Sequence, residues 1–429
     1  MVASTPVCSD SFSTSVWRSF NTVGAESFAR TKASGLVPAL VHGCSALRFL
    51  LRGGEEGGLD CKNSRSKSPA IGTGGKKPRM AASQSHRNRA LLVVDDPNEA
   101  YFIFELNLDH LFSGEPDEEF PSILNIPDPA TSFSNLPRSR ENMATTVSGN
   151  LLVVATSKSR TLLYDTGSRS TSTGPDMRSG KVSILLVPVA VAHDMVFAMS
   201  FFPHLDPEGT PHAELLARDT DAGGRLAWHP IPDPPLLSSL RPGGEREWRI
   251  SGYFVAGTRV WVSFSREGTF SFDTACRQWR MEGTWELPVR GLALLIPDFL
   301  GGGQQLLFGF SSADGHFCAC DMEARPHPVI IKSWPEAIPS KLAQRARYFA
   351  DPHTATLSYC GAGRFCISTT IVTGYFPRKL VNWNQVLNLP RHAVSLVAIE
   401  VTPEMQLIRH KLDCYSLPAD ARVGGCHLL

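Results

Sequence analysis

Cys318 and Cys320 come nearest to a metal-binding pair in this chain, and their spacing argues against one. Two residues apart on an extended strand, both thiols face the same side. Zinc wants four ligands, with a gap of two or more residues within each Cys pair. The two cysteines therefore read as buried structural thiols. Gly309-Phe310-Ser311-Ser312-Ala313 approaches the Gly-x-Ser-x-Gly elbow of a nucleophilic serine, but it ends in Ala and no helical pattern follows, so it reads as a hairpin turn. Gly301-Gly302-Gly303 lacks the Lys-Ser/Thr of a phosphate loop, and Gly361-Ala362-Gly363 lacks the third glycine and the strand-turn-helix context of a dinucleotide site. The 13 histidines include no pair at helical ligand spacing. His193, His316 and His410 fall near strand ends, where an imidazole satisfies a turn amide. No catalytic, cofactor-binding or metal-ligating residue is assigned, and the expectation is a non-enzymatic protein.

The elements that would carry any site repeat. Leu162-Leu163-Tyr164-Asp165-Thr166, Leu215 to Thr220, Phe270-Ser271-Phe272-Asp273-Thr274 and Phe317-Cys318-Ala319-Cys320-Asp321 each read as a strand ending in Asp. A fainter copy, Phe104 to Asp109, precedes them. The aspartates Asp109, Asp165, Asp219, Asp273 and Asp321 are 56, 54, 54 and 48 residues apart. Units of this length built from short strands point to a β-propeller, in which each sheet needs a neighbour on both faces. The clearest unit predicts strands at Ile250–Ala256, Arg259–Phe264, Gly268–Asp273 and Gln278–Met281, rich in β-branched and aromatic residues. The closing Asp is expected to accept amides of the following turn, and the residue before it to pack on the adjoining sheet. Outer strands carrying Trp228, Trp279 or Trp334, or a Pro exit such as Gly174-Pro175, suit sheet edges.

A sixth unit is predicted from Thr354–Cys360, Arg364–Thr369, Val394–Val401 and Gln406–Lys411, with Glu400 at the end of its third strand. The expected fold is all-β, a propeller of six blades of four antiparallel strands over residues 89–417, followed by a tail at 418–429. The 79 residues from Asp321 to Glu400 are too many for one blade and too few for two, so Thr373 to Arg391 reads as an inserted loop. Its Tyr375, Phe376, Arg378, Lys379 and Trp383 mix aromatic anchors with bases, the residue types that dominate protein interfaces. They form the candidate partner-binding loop. A second candidate is the set of connections at one rim, including Pro203–Thr210 and Pro234–Glu245.

Arg89-Ala90-Leu91-Leu92-Val93-Val94-Asp95-Asp96, the run from Tyr164-Asp165-Thr166 to Gly174-Pro175-Asp176-Met177, and Ile408-Arg409-His410-Lys411-Leu412-Asp413-Cys414-Tyr415 resemble the plant kelch-like proteins related to F-box/kelch proteins, which abound in grasses. The resemblance spans about residues 89–417. It implies a kelch-type propeller that binds a protein and carries no catalytic residues over. The chain departs from ordinary kelch repeats in lacking a regular Gly-Gly pair after the second strand of each unit. An F-box would lie near Leu36-Val37-Pro38-Ala39-Leu40, but the pattern of apolar helix positions expected next is missing. Some kelch-class propellers are copper-radical oxidases with two His and two Tyr ligands, so the alternative function is a small-ligand or oxidase-like site in the central channel. The 7 tyrosines supply the ingredients without an arrangement.

Composition places limits on compartment and partners. No run of 18 apolar residues exists, so no membrane span is expected. Ten dispersed cysteines and the lack of an Asn-x-Ser/Thr sequon favour a reducing compartment. Residues 1–89 hold 13 Lys/Arg against 5 Asp/Glu, a balance of +8, while the whole chain is +1. The expectation is a basic, Ser/Gly-rich, disordered leader at 1–88, with Lys62 to Arg79 too poor in apolar surface to order. Residues 1–35 also have the Ser/Thr/Ala-rich, acid-poor composition of a transit peptide, and Met80 is an alternative start. The cytoplasm or nucleus is expected, with chloroplast or mitochondrion as the alternative. The protein partner is of unknown identity, nucleic acid is not among the expected partners, and the chain is expected to be monomeric.

Overall fold

The computed structural model describes residues 89–429 except 97–99, 114–121, 134–142, 190–194, 207–208, 220–222, 236–248, 302, 346–354, 380–385 and 419–420. The expected leader at 1–88, its transit-like stretch and the Met80 start lie outside the described residues. What is described is all-β and propeller-like: antiparallel four-stranded meanders with one short helix.

The first meander contains β1 (Arg89–Asp95) and β2 (Tyr101–Asn107); β3 (Ile123–Asn125) then leaves it for another sheet, and β4 (Thr131–Phe133) returns. The second is β5 (Met143–Ser148), β6 (Leu151–Thr156), β7 (Thr161–Asp165) and β8 (Ser170–Thr173). The third is β9 (Ile184–Pro188), β10 (Val196–Ser200), β11 (Ala213–Asp219) and β12 (Arg225–Pro230). The fourth is β13 (Ile250–Ala256), β14 (Arg259–Phe264), β15 (Gly268–Asp273) and β16 (Gln278–Gly283). The fifth is β17 (Val289–Pro297), β18 (Gln305–Ser311), β19 (Phe317–Asp321) and β20 (Val329–Trp334). The helix α1 (Ser340–Arg345) leads to the sixth, β21 (Ala355–Gly361), β22 (Arg364–Lys379), β23 (Val386–Val401) and β24 (Leu407–Ser416), with β3 added parallel to β24. The last strand, β25 (Arg422–Leu428), pairs antiparallel with β1 and becomes the first strand of the first meander.

That pairing corrects the expected tail at 418–429. Cys426 and Ala421 are buried with the core, and Leu92 faces Cys426 across the ladder. The C-terminal segment supplies the strand that the N-terminal meander lacks.

Second strands such as Leu151-Leu152-Val153-Val154-Ala155 are apolar without alternation because both of their faces are covered. Leu152 and Val154 pack with β1 and β2, whereas Val153 and Ala155 pack with β9 and β10. The same division recurs throughout. One apolar cluster joins the third and fourth meanders, one the fourth and fifth, one the fifth and sixth, and one the sixth and first. The first strands follow the same cycle, each touching the next from β25 through β5, β9, β13, β17 and β21 back to β25. Glycine permits the crowding at this hub. Gly252 pairs in parallel with Gly291, and a Cβ on Gly252 would lie 2.3 Å from the Val289 carbonyl oxygen. A Cβ on Gly425 of β25 would lie 2.3 Å from Thr145 Oγ1 of β5.

The aspartate echo has a hydrogen-bonding cause. Asp165 Oδ1 accepts the Gly167 and Ser168 amides, both at 2.9 Å; Asp273 Oδ1 accepts the Ala275 amide at 3.0 Å, and Asp321 Oδ1 the Glu323 amide at 2.8 Å. The amide hydrogen bonds hold the Asp165 and Asp273 carboxyls below their usual range. Tyr164, Phe272 and Cys320, which precede them, are buried against the preceding meander. Asp219 ends its third strand too, but Arg218 before it is exposed. Asp109 departs from the expectation. The third strand of the first meander stops at Asn107, whose Oδ1 accepts the Asp109 amide at 2.9 Å, and Asp109 itself opens a 3-10 turn, Asp109–Phe112. Asn is an amide-accepting turn residue like Asp, so the spacing found the turn two residues late.

A buried polar network anchors the connections at one rim. In a meander whose first strands run parallel, the connections from second to third strand and from fourth strand to the next meander share one edge. In the third meander these are the stretch from Phe201 to His212 and the stretch from Gly174 to Ser183. Lys181 Nζ donates to Glu214 Oε1 at 2.7 Å and to the Pro211 carbonyl at 3.0 Å, while Glu214 Oε2 accepts the Arg178 amide at 2.9 Å. Both side chains of this ion pair are fully buried. Asp206 accepts the Val182 amide at 3.1 Å and the Ser200 hydroxyl at 2.8 Å, and faces His212 Nδ1 at 3.0 Å. The hydrogen bond to Asp206 raises the His212 pKa, against the effect of burial.

Three measurements test this construction. Deleting residues 421–429 removes β25 and opens the cycle, so the cooperative thermal transition is expected to disappear; a truncated chain that melts like the full one contradicts closure. Lys181→Met strands a buried carboxylate and is expected to cost about 3–5 kcal/mol in denaturant unfolding, with Lys181→Met/Glu214→Leu costing less than the sum of the single changes. His212, with its pKa raised on folding, stabilises most below its unfolded value of about 6.5, and the contribution fades as pH rises through the folded value. The stability difference between the wild type and His212→Gln is therefore expected to shrink from pH 5 to pH 8.

Candidate functional site

The interactions that brace the seam between the sixth and first meanders set the base from which the partner-binding candidate projects. At that seam Thr356 and Ser358 of β21 donate to the Cys426 carbonyl of β25 at 3.5 and 3.4 Å, while Thr145 Oγ1 donates to the Gly424 carbonyl at 3.0 Å and lies 2.6 Å from His427 Nε2, tying β5 of the second meander to β25 of the first. Burial pushes the His427 imidazole down to about 4, which keeps it neutral near pH 7. On the outside of the seam, the 3-10 turn Asp109–Phe112 docks on the sixth meander. His110 Nε2 meets Asp413 Oδ2 at 2.6 Å, and Tyr415 Oη donates to the same oxygen at 2.8 Å. The Arg364 guanidinium stands 5.5 Å from the Phe112 ring centre and its Nε donates to Glu400 at 3.2 Å. β3 pairs in parallel with Cys414 to Ser416. His410, expected to satisfy a turn amide, instead faces Glu400 at 3.2 Å. His316 faces Asp314 at 3.1 Å. His193 lies outside the described residues.

Above this base the expected loop from Thr373 to Arg391 is a β-ribbon. β22 and β23 pair from Arg364↔Glu400 to Lys379↔Val386, with a bulge between Val372 and Gly374. Their neighbours stop short: β21 pairs with β22 only as far as Thr369, and β24 pairs with β23 only from Ala393. The excess length in the sequence is thus strand, because Thr370-Ile371-Val372 continues the β-branched run opposite Val394, Ala393 and His392, and Gly374 to Lys379 carries the pairing on opposite Arg391 to Val386. Tyr375 is 51% exposed. Phe376, Arg378 and Lys379 lie on β22 opposite Leu389, Leu387 and Val386 in register. Trp383 lies outside the described residues, as does the connection at 236–248 within the second candidate. The ribbon joins second to third strand, so it rises from the same rim as the stretch Pro203–Leu205 and α1. Sequence reasoning found the ribbon residues through their composition but missed their secondary structure, which only the register of one strand on the other reveals.

The other chemical candidates settle into structure. Cys318 and Cys320 are both fully buried in the cluster between the fourth and fifth meanders, on one side of β19. The hydrogen bond to Cys320, with burial added, pushes the Cys318 thiol far up, so it stays protonated. Ser311 ends β18, and its Oγ accepts the Ala313 amide at 3.2 Å in a hairpin turn. Gly361-Ala362-Gly363 is the tight turn between β21 and β22. Among the described residues no three His, Cys, Asp or Glu side chains converge to hold a metal, and no helix is long and apolar enough to cross a membrane.

Solved structures with a similar course of chain include three at low identity. The β-propeller domain of Myceliophteria thermophila Cps50 (Swd1) is 9% identical, with a TM-score of 0.36 over 78% of this chain and 95% of that one. The dihydro-heme d1 dehydrogenase NirN, solved in complex with DHE, is 13% identical, with a TM-score of 0.32 over 78% of this chain and 66% of that one. This chain thus spans just under two thirds of the length of NirN. The computationally designed Ika8 protein is 9% identical, with a TM-score of 0.34 over 76% of this chain and 80% of that one. No curated protein sequence matches. Residues 87–415, most of the sheet-forming region, match the family described as protein of unknown function (DUF1668), and the chain belongs to that family.

Proposed function

We propose that the chain is a six-bladed, kelch-type propeller that acts as a non-enzymatic scaffold and binds a protein partner through its rim, chiefly through the β22–β23 ribbon. The supporting observation is the free length of that ribbon. Past Ile371 and Ala393 the two strands pair only with each other for the eight residues from Val372 to Lys379, and at the rise of an extended strand this is a projection of roughly 25 Å. An isolated two-stranded ribbon is marginal in water, because one ladder does not offset the entropy of ordering it. A second surface that covers Tyr375 and its neighbours would bury aromatic area and complete the ladder, as in β-strand addition. The composition fits: from Thr370 to Ile399 the chain carries Arg378, Lys379 and Arg391 and no Asp or Glu. Bases with aromatics are common anchors of interfaces. The six meanders and the cycle of six apolar clusters support the blade number. The compartment goes with this reading: a cytoplasmic or nuclear scaffold, with an organelle as the alternative.

Replacing residues 374–391 by a two-residue Asn-Gly turn shortens the ribbon to the height of its neighbours. The melting temperature is expected to stay within a few degrees of the full chain, because no apolar cluster loses a member. A partner captured stoichiometrically by the full chain in its own cells is expected to be lost from the shortened one. Retention of that partner would remove the ribbon as the docking element.

A further inference from the structure

The rim between the fifth and sixth meanders holds a cleft of about 650 Å³, the size of a site for a small organic ligand. Trp334 at the end of β20, Pro335, Ile338 and Pro339 in the connection to α1, and Ala343 on α1 give it apolar walls. Arg290 of β17 and Arg409 of β24 reach it from two meanders. Arg409 is exposed and makes no hydrogen bond or ion pair among the described residues.

Two carboxylates also border the cleft, and they differ in availability. Asp314 is spent on its own turn: Oδ1 accepts the His316 amide at 3.0 Å and Oδ2 faces His316 Nδ1 at 3.1 Å. Glu336 is exposed at the cleft. Its charge disfavours a polyanion, which would crowd it, more than a singly charged group held on the arginine side. An independent observation concerns the wall. Trp334 is 2% exposed, so it backs the cleft from within the core and leaves the proline rings as its open apolar surface.

We propose that this cleft binds a small monocarboxylate with a flat apolar body, the carboxylate on Arg409 and Arg290 and the body against Pro335 and Pro339. Guanidinium groups suit a carboxylate because their planar fork matches its two oxygens, and the apolar proline rings suit a flat hydrophobic body. The site owes nothing to the ribbon, and stands or falls apart from the partner reading.

Isothermal titration of the full chain with 2-naphthoate and with its neutral isostere 2-naphthamide tests this. Naphthoate is expected to bind at least about tenfold more tightly than naphthamide, as expected for one charge-assisted hydrogen bond. Arg409→Gln is expected to weaken naphthoate by about tenfold, whereas Glu336→Gln is expected to tighten it. Arg280→Gln, on exposed β16, is the control and leaves binding unchanged. Equal binding of the two probes, no naphthoate binding at millimolar concentration, or indifference to Arg409→Gln and Glu336→Gln in variants that melt normally would overturn the proposal. So would a loss of binding in the control as large as that in Arg409→Gln.

Discussion

Each four-stranded sheet here has two apolar faces, and it can hide them only between two other sheets. That constraint governs the rest. It explains why second and third strands such as Leu151 to Ala155 and Phe317 to Cys320 are apolar in succession rather than alternately, since odd and even residues enter different clusters. It also demands closure, because an open row of such sheets would leave one bare face at each end. β25 meets the demand by pairing with β1, so the two ends of the domain share one sheet. Glycines at 252, 291 and 425 let the first strands approach closely at the hub.

Closure by a single strand concentrates the risk at one seam, and the chain reinforces it. The 3-10 turn Asp109–Phe112 and β3 cross from the first meander to the sixth, adding the His110–Asp413 contact, the Arg364–Phe112 stack and a parallel strand on β24. Covering β24 also protects an edge that would otherwise offer a free ladder. The rim is anchored differently. Between the second and third meanders the Lys181–Glu214 pair and Asp206 lace two connections together through backbone amides and a carbonyl, which fixes chain direction where no strand pairing can. Desolvation offsets most of the attraction within such a pair, so its net contribution to stability is small even though removing one partner is costly.

A rigid hub with reinforced connections makes a platform from which irregular or extended elements can project at little cost to the fold. The ribbon of β22 and β23 and the cleft beside α1 both rise from the rim where second-to-third-strand and inter-meander connections gather. Their chemistries differ. The ribbon carries bases and aromatics without acids, whereas the cleft sets the exposed Arg409 guanidinium beside proline rings. The scaffold places them independently, because each belongs to a different connection of the sixth meander's surroundings.

The repeat, the strand order within a unit and the turn-closing aspartates were legible from residues alone, since short-range forces write them: β-branched and aromatic runs, glycine turns, and a carboxylate two residues before the amides it accepts. In the fourth meander three of the four expected strands coincide with the observed ones and the fourth runs two residues longer. Local signals misplaced the first turn at Asp109 instead of Asn107, because Asn and Asp serve the turn equally and only the ladder shows where β2 ends. They could not recognise β25, whose Arg422-Val423-Gly424-Gly425 reads as a tail until β1 lies beside it. Nor could they show that the excess before Glu400 is a ribbon, that His110 meets Asp413 across 303 residues, or that Arg409 and Trp334 border one cleft. Those facts depend on which segments the closed cycle brings together, and proximity between distant segments exists only once every sheet has found its neighbour.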